Sequence, residues 1–132
     1  MDHVAQMFSK IKNAANVGKK ETTISYSKLN LAVLEILKQE NFIGSFVEVK
    51  DTNKKYPTGI TVKLKFKNKD EVVFQNLKKI STPGKRVYLR AGKISQALRG
   101  KSEIILSTSQ GLMSGSNAKK KGLGGELIGE VV

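Results

Sequence analysis

Apolar and polar residues alternate along the chain in two rhythms, one helical and one strand-like. Val4, Met7, Phe8, Ile11 and Ala15 recur at helical spacing behind Asp2, predicting a first helix capped by that aspartate and closed near Val17-Gly18-Lys19-Lys20. Residues 22–26 read as a short strand. Ser27 caps a second helix over 28 to about 40, with Leu29, Ala32, Val33, Ile36 and Leu37 on its inner face. Asn41 stands where a left-handed C-terminal residue is expected. Residues 42–50 and 59–67 predict an antiparallel pair across a turn at 51–58. In the second member Ile60, Val62, Leu64 and Phe66 alternate with Thr61, Lys63, Lys65 and Lys67, so the lysine face reads as solvated. A further strand is expected at 72–74.

The second half has shorter segments. Residues 80–84 form a turn, with Pro83 and Gly84 at the central positions a type II turn prefers. A strand follows at 86–90, a short helix at 94–98 and a strand at 104–107. Ser114 caps a helix of one to two turns ending at Gly122, and 126–132 is a terminal strand. Residues 107–126 then read as a loop of hydroxyls, lysines and bare backbone between two strands. The pattern gives an α+β fold: residues 1–74 as two helices on a short, mainly antiparallel sheet, and residues 75–132 as a strand-rich α+β domain.

Charge changes this picture most. The chain has 132 residues, with 24 basic and 11 acidic, a formal net charge of +13. Such a charge repels itself and normally meets a polyanion. It is unevenly spread: residues 78–101 hold eight basic and no acidic side chains, while 102–132 hold three of each. No apolar run reaches the roughly 18 residues of a membrane span, and no charged-then-apolar leader opens the chain. Without cysteine there is no disulfide or thiolate metal site, and the single histidine, His3, removes most metal and general-base schemes.

The remaining motifs fail on context. Gly100-Lys101-Ser102 lacks the first glycine of a phosphate-binding loop, since Ser95 occupies that position, and it leads into a strand rather than a helix. Gly122-Leu123-Gly124-Gly125 matches the KH-type GxxG only in letters, because it precedes a strand. Leu127 stands where a dinucleotide fingerprint needs its third glycine. No enzyme, cofactor or metal site is expected. The surviving combination is the basic 78–101 segment, Arg86 and Tyr88 within it, and the hydroxyl- and glycine-rich stretch after it. Arginine holds phosphate bidentately, tyrosine stacks on an unpaired base, and serine or threonine meets a base edge or ribose hydroxyl, a combination suited to RNA. The competing reading is a non-specific basic nucleic-acid-binding protein.

At these residues the chain resembles bacterial-type ribosomal protein eight of the small subunit, the S-eight family, over nearly its whole length. The resemblance lies in Ser107-Thr108-Ser109-x-Gly111-x-Met113, Gly122-x-Gly124-Gly125-Glu126 and Ile80-Ser81-x-Pro83-Gly84-x-Arg86-Val87-Tyr88. It extends to Asp2-x-x-Ala5-x-Met7 with Ile11-Lys12-Asn13-Ala14, and to Ser27-Lys28-Leu29 with Leu37-Lys38 and Phe42-Ile43. It implies a two-domain α+β protein, structural rather than enzymatic. Such a protein binds the central domain of small-subunit ribosomal RNA, supports assembly among neighbouring small-subunit proteins, and in some members represses its own messenger. Its place would be the ribosome of the cytoplasm, or of an organelle, and it would be a monomer outside it.

By that resemblance Ser107, Thr108 and Ser109, with Gln110 and Gly111, read base edges and sugar. Tyr88, Gly124, Gly125 and Glu126 shape the surface, and Lys85, Arg86, Lys119 and Lys120 neutralise phosphate. Lys10, Lys12, Asn13 and Lys28 serve a second contact area. Departures from the family pattern include lysine for arginine at Lys10 and Lys12, Gly100-Lys101-Ser102 for Gly-Leu-Gly, Gly115 for a common aspartate and Glu130 for an aromatic.

Overall fold

A computed structural model describes every residue except Met1, Asp70, Arg99 and Lys101. The chain divides into two compact units, Met1–Phe74 and Gln75–Val132.

The N-terminal unit opens with helix α1, His3–Asn16, whose N-cap Asp2 accepts the Ala5 N–H at 3.1 Å. That bond satisfies one of the donors a helix start leaves open. Val4, Met7, Phe8, Ile11 and Ala14 are buried; Ala14, rather than the half-buried Ala15, completes the inner stripe. Strand β1, Glu21–Ser25, leads to helix α2, Lys28–Gln39, where the Ser27 hydroxyl accepts from Asn30 N. The buried face of α2 is Asn30, Val33, Leu34, Ile36 and Leu37. Leu29, expected inside, is 43 % exposed. The face is rotated so that Asn30 turns inward and donates from Nδ2 to the Ser25 carbonyl at 3.2 Å. A polar residue at an inner position hid the true register of the stripe.

The end of α2 follows from Asn41, which adopts φ +66°. Phe42 N donates to Leu37 O at 2.8 Å and Asn41 N to Lys38 O at 3.0 Å, the pair of bonds that closes a Schellman motif. Strands β2, Ile43–Lys50, and β3, Pro57–Leu64, then form the expected antiparallel hairpin. With β1 they make a three-stranded sheet of order β1-β3-β2. Ile24, Ile60, Val62 and Leu64 are buried on the side the helices cover, while Lys63, Lys65 and Lys67 are exposed. The expected strand at 72–74 is absent as a strand; a single bridge joins Phe66 to Val72.

In the C-terminal unit the sheet contains β4 (Leu77–Lys79), β5 (Tyr88–Leu89), β6 (Glu103–Thr108), β7 (Gly111–Ser114) and β8 (Gly125–Val131). Its order is β4-β8-β6-β7, with β5 also pairing β8, and every pairing is antiparallel. A 3-10 turn, Ala91–Lys93, runs into helix α3, Ile94–Ala97; helix α4, Gly115–Lys121, follows β7. Ile94, Ile104, Leu106, Met113 and Ala118 form the core, with Leu89, Leu98, Leu123 and Leu127 packed against it.

Four expectations change here. Strand β4 was not anticipated, because its three residues, two of them lysines, carry no alternation long enough to register. The strand expected over 86–90 shrinks to Tyr88–Leu89. The turn at Pro83-Gly84 is closed by Thr82 N to Lys85 O and Lys85 N to Thr82 O, but Gly84 lacks the positive φ of a type II turn. Above all, the stretch 107–126 holds, besides the expected helix now seen as α4, the whole of strand β7, which was not anticipated.

Candidate nucleic-acid interface

The stretch Ser107-Thr108-Ser109 straddles the end of a strand. Ser107 and Thr108 are the last residues of β6, and Ser109-Gln110 is the exposed tip of the β6–β7 hairpin. Gly111 holds φ +104°, a conformation side-chain-bearing residues rarely adopt, and so lets the chain reverse in this space. The Thr108 hydroxyl is committed to the turn: it donates to Gly111 O at 2.8 Å and accepts from Gln110 N at 3.1 Å. Thr108 therefore shapes the tip, whereas the exposed Ser109 and Gln110 carry the groups that face outward.

Cross-strand register lays a row over this end of the sheet. Tyr88 is opposite Glu126, Glu126 opposite Ser107, and Ser107 opposite Leu112. Residues directly opposite in antiparallel pairs share a face. In the next row Leu106, opposite both Leu127 and Met113, points to the core instead, as does Leu89, which is opposite Gly125. The first row therefore lies on the face away from α4, and Tyr88 on it is 71 % exposed. Sequence reasoning anticipated three of its members and missed Leu112; the signal was Gly111 between two short apolar runs, the signature of a hairpin.

Glycine at 124 and 125 is explained by the chain itself. A methyl group at Gly124 would lie 2.5 Å from the Leu89 carbonyl oxygen, and one at Gly125 would overlap the Ser107 carbonyl. The two glycines let β8 press against its neighbours, which brings Tyr88, Glu126 and Ser107 into one row. Glu126 is half-buried and accepts from Arg86 Nη1 at 3.0 Å. Arg86 is thereby oriented across the row and partly neutralised, while Lys85 in the adjoining turn is exposed.

Helix α4 supplies the second charged element. The Ser114 hydroxyl accepts from Asn117 N at 3.2 Å, and Gly122 ends the helix at φ +68°. Leu123 N donates to Ala118 O at 2.9 Å and Gly122 N to Lys119 O at 3.1 Å, repeating the closure seen in α2. Lys119, Lys120 and Lys121 are all exposed in this last turn, where cations are favoured by the helix dipole. Its first turn contains no acidic residue. A carboxylate arrives from β6 instead: Glu103, 6 % exposed, accepts from Ser116 N at 3.3 Å through Oε1 and from Ser116 Oγ at 2.7 Å through Oε2. Gly115 leaves room for this arrangement, since a methyl group there would overlap the Ile104 side chain and approach Glu103 Oε1 at 3.2 Å. The Gly100-Lys101-Ser102 departure lies partly outside the described residues, at Lys101; Gly100 has φ +59°. Glu130 is half-buried on β8, opposite the exposed Lys78 of β4.

In the N-terminal unit, Lys10 and Asn13 fall on one stripe of α1 and line a shallow groove with Lys19, Thr22 and Thr23. A larger depression of about 510 Å³ continues from Lys10 past Gln6 and His3, with Ser25 and Asn30 in its wall. Lys12 is half-buried, about 200° round the helix from Lys10 at 100° per residue, and lines neither groove. Lys28 is exposed in the first turn of α2 and is likewise outside both. Of the four residues expected in a second contact area, the fold brings two together.

Fold and site define a basic α+β protein that presents open polar surfaces; no cluster of three or more metal-ligating side chains occurs among the described residues. The profile of the family "Ribosomal protein S8" matches residues 2–132. The chain is also similar to "Small ribosomal subunit protein uS8" of Mesoplasma florum, 43 % identical with 96 % of this chain and 95 % of that protein covered. The protein of the same name from Sorangium cellulosum is 38 % identical, covering 98 % and 97 % of the two chains. The chain belongs to the ribosomal protein S8 family.

Proposed function

We propose that this chain is a structural component of the small ribosomal subunit that binds the central domain of its ribosomal RNA directly. The observation that carries this reading is the row Tyr88–Glu126–Ser107, capped by the exposed Ser109-Gln110 tip, with exposed Lys85 in the adjoining turn. The relatives named above are small-subunit proteins, and the family is structural rather than enzymatic. Its seat is the cytoplasmic ribosome, and it is a monomer before it joins the particle.

The roles within the surface follow from its chemistry. Tyr88 is a platform for an unpaired base, since base–aromatic stacking tolerates any sequence. Ser109 and Ser107 offer hydroxyls to base edges or a ribose 2′-OH, which can donate or accept. Glu126 accepts hydrogen bonds and holds Arg86 in place. Lys85, Lys119 and Lys120 contribute phosphate charge, and Lys10 with Asn13 forms a second, smaller contact in the N-terminal unit.

The test is a binding series on a small-subunit ribosomal RNA fragment and a random RNA of equal length. Ser109→Ala should weaken only the specific complex, by about 1–3 kcal/mol for a hydrogen-bonding group left unpaired in the complex. Equal weakening on both RNAs would overturn the role given to the hairpin tip.

A further inference from the structure

One surface of the N-terminal unit has chemistry opposite to the rest of the chain. Strand β2 is an edge strand: β3 pairs one side of it, and no strand flanks the other among the described residues. Between this edge and α2 runs an open groove of about 640 Å³, lined by Leu31, Glu35, Phe46, Val47 and Glu48. Three lining residues are apolar and two acidic, in a chain of net charge +13. Lys38 stands at the rim, its ammonium 5.7 Å from the centre of the Phe46 ring. Val47 is 59 % exposed, and Val49, two residues on and so on the same face, is 38 % exposed.

An unpaired strand edge with β-branched side chains in water is a template for another strand, and folded proteins ordinarily blunt or cover it. We propose that this groove docks an extended, basic segment of a neighbouring small-subunit protein, which adds a strand along the free edge of β2. Main-chain hydrogen bonds would supply affinity, and alternate side chains specificity, as in strand addition generally. One set of side chains from the incoming segment would fill the space between Leu31 and Phe46 on the helix side of the sheet, and the alternate set would cover Val47 on the opposite face. Lysine or arginine from the segment would meet Glu35 and Glu48. RNA suits the same place poorly, because its phosphates would face those two carboxylates. The proposal rests on the ribosomal role above, which supplies the class of partner.

The chain contains no cysteine, so Val47→Cys accepts a single benzophenone label in the full-length protein. Small subunits are reconstituted with the labelled chain in place of the unlabelled one, irradiated, and the products mapped by mass spectrometry. The expected result is one crosslink to a small-subunit protein, within a segment rich in lysine or arginine. Its yield should fall several-fold when Glu35→Gln and Glu48→Gln are added, while the chain still enters the particle. Crosslinks to ribosomal RNA, to a second copy of this chain, or to no macromolecule would overturn the proposal, as would a yield indifferent to the two carboxylates. Failure of even the unlabelled chain to enter the particle would overturn the ribosomal reading and this inference together; entry without a protein crosslink would overturn the inference alone.

Discussion

Thr108 and Ser109 are adjacent hydroxyls with different work. Thr108 spends its donor on Gly111 O and its acceptor on Gln110 N, whereas Ser109 stands exposed at the tip. Thr108→Val should therefore lower stability, by about 0.5–1.5 kcal/mol for such partly solvated bonds, in a denaturant titration of the free protein. Ser109→Ala should leave that titration unchanged and act only on the RNA complex. Glu103 and Gly115 form a second residue-level pair. Glu103→Ala removes the acceptor of the Ser116 N–H and hydroxyl and should cost about 1.5–3 kcal/mol. Gly115→Asp should also destabilise, because its carboxylate would arrive beside that of Glu103 and its Cβ against Ile104. In a double-mutant cycle the aspartate should cost less once Glu103 is alanine, since the like charge is gone. An additive cycle would show that the two positions do not share the helix start. Gly115 thus leaves room for a carboxylate delivered from the neighbouring strand.

At the scale of elements, the hairpin and α4 divide shape from charge. Lys119, Lys120 and Lys121 lie in one exposed helix turn closed by Gly122 at φ +68°. Lys119→Ala should reduce affinity for specific and random RNA alike and lower the magnitude of the salt slope by roughly one. Gly122→Ala should instead destabilise the free protein by about 1–2 kcal/mol through its left-handed backbone. Three helix starts and the ends of α2 and α4 were legible in the sequence, because Asp2, Ser27, Asn41, Ser114 and Gly122 are residue types with a local mechanism for their positions. What local chemistry did not disclose was set by long-range pairing. β4 is a strand because β8 is beside it, and Tyr88–Leu89 is short because only those two residues reach Glu126 and Gly125. The inward turn of Asn30 on α2 depends on the Ser25 carbonyl waiting for it. The candidate site was legible as a list of residue types and illegible as a surface. That Thr108 would be spent on its own turn, and that Gly124 and Gly125 answer to strand packing, required the register.

For the whole molecule, net charge and recognition are separable quantities. On the proposed function, the eight basic and no acidic residues in 78–101 would bring a polyanion to the C-terminal unit, through a field that acts on any RNA and fades with salt. Selectivity then has to come from the row and tip that this segment adjoins in sequence. A non-specific basic protein and an S8-family protein working as proposed would look alike at low salt and differ at physiological salt, where only the second keeps a preferred target. The most direct measurement is ultraviolet crosslinking in living cells followed by sequencing of the RNA bound to this chain. Recovery concentrated in one segment of the small-subunit ribosomal RNA, within its central domain, is the predicted result. Reads spread over transcripts in proportion to their abundance would contradict it.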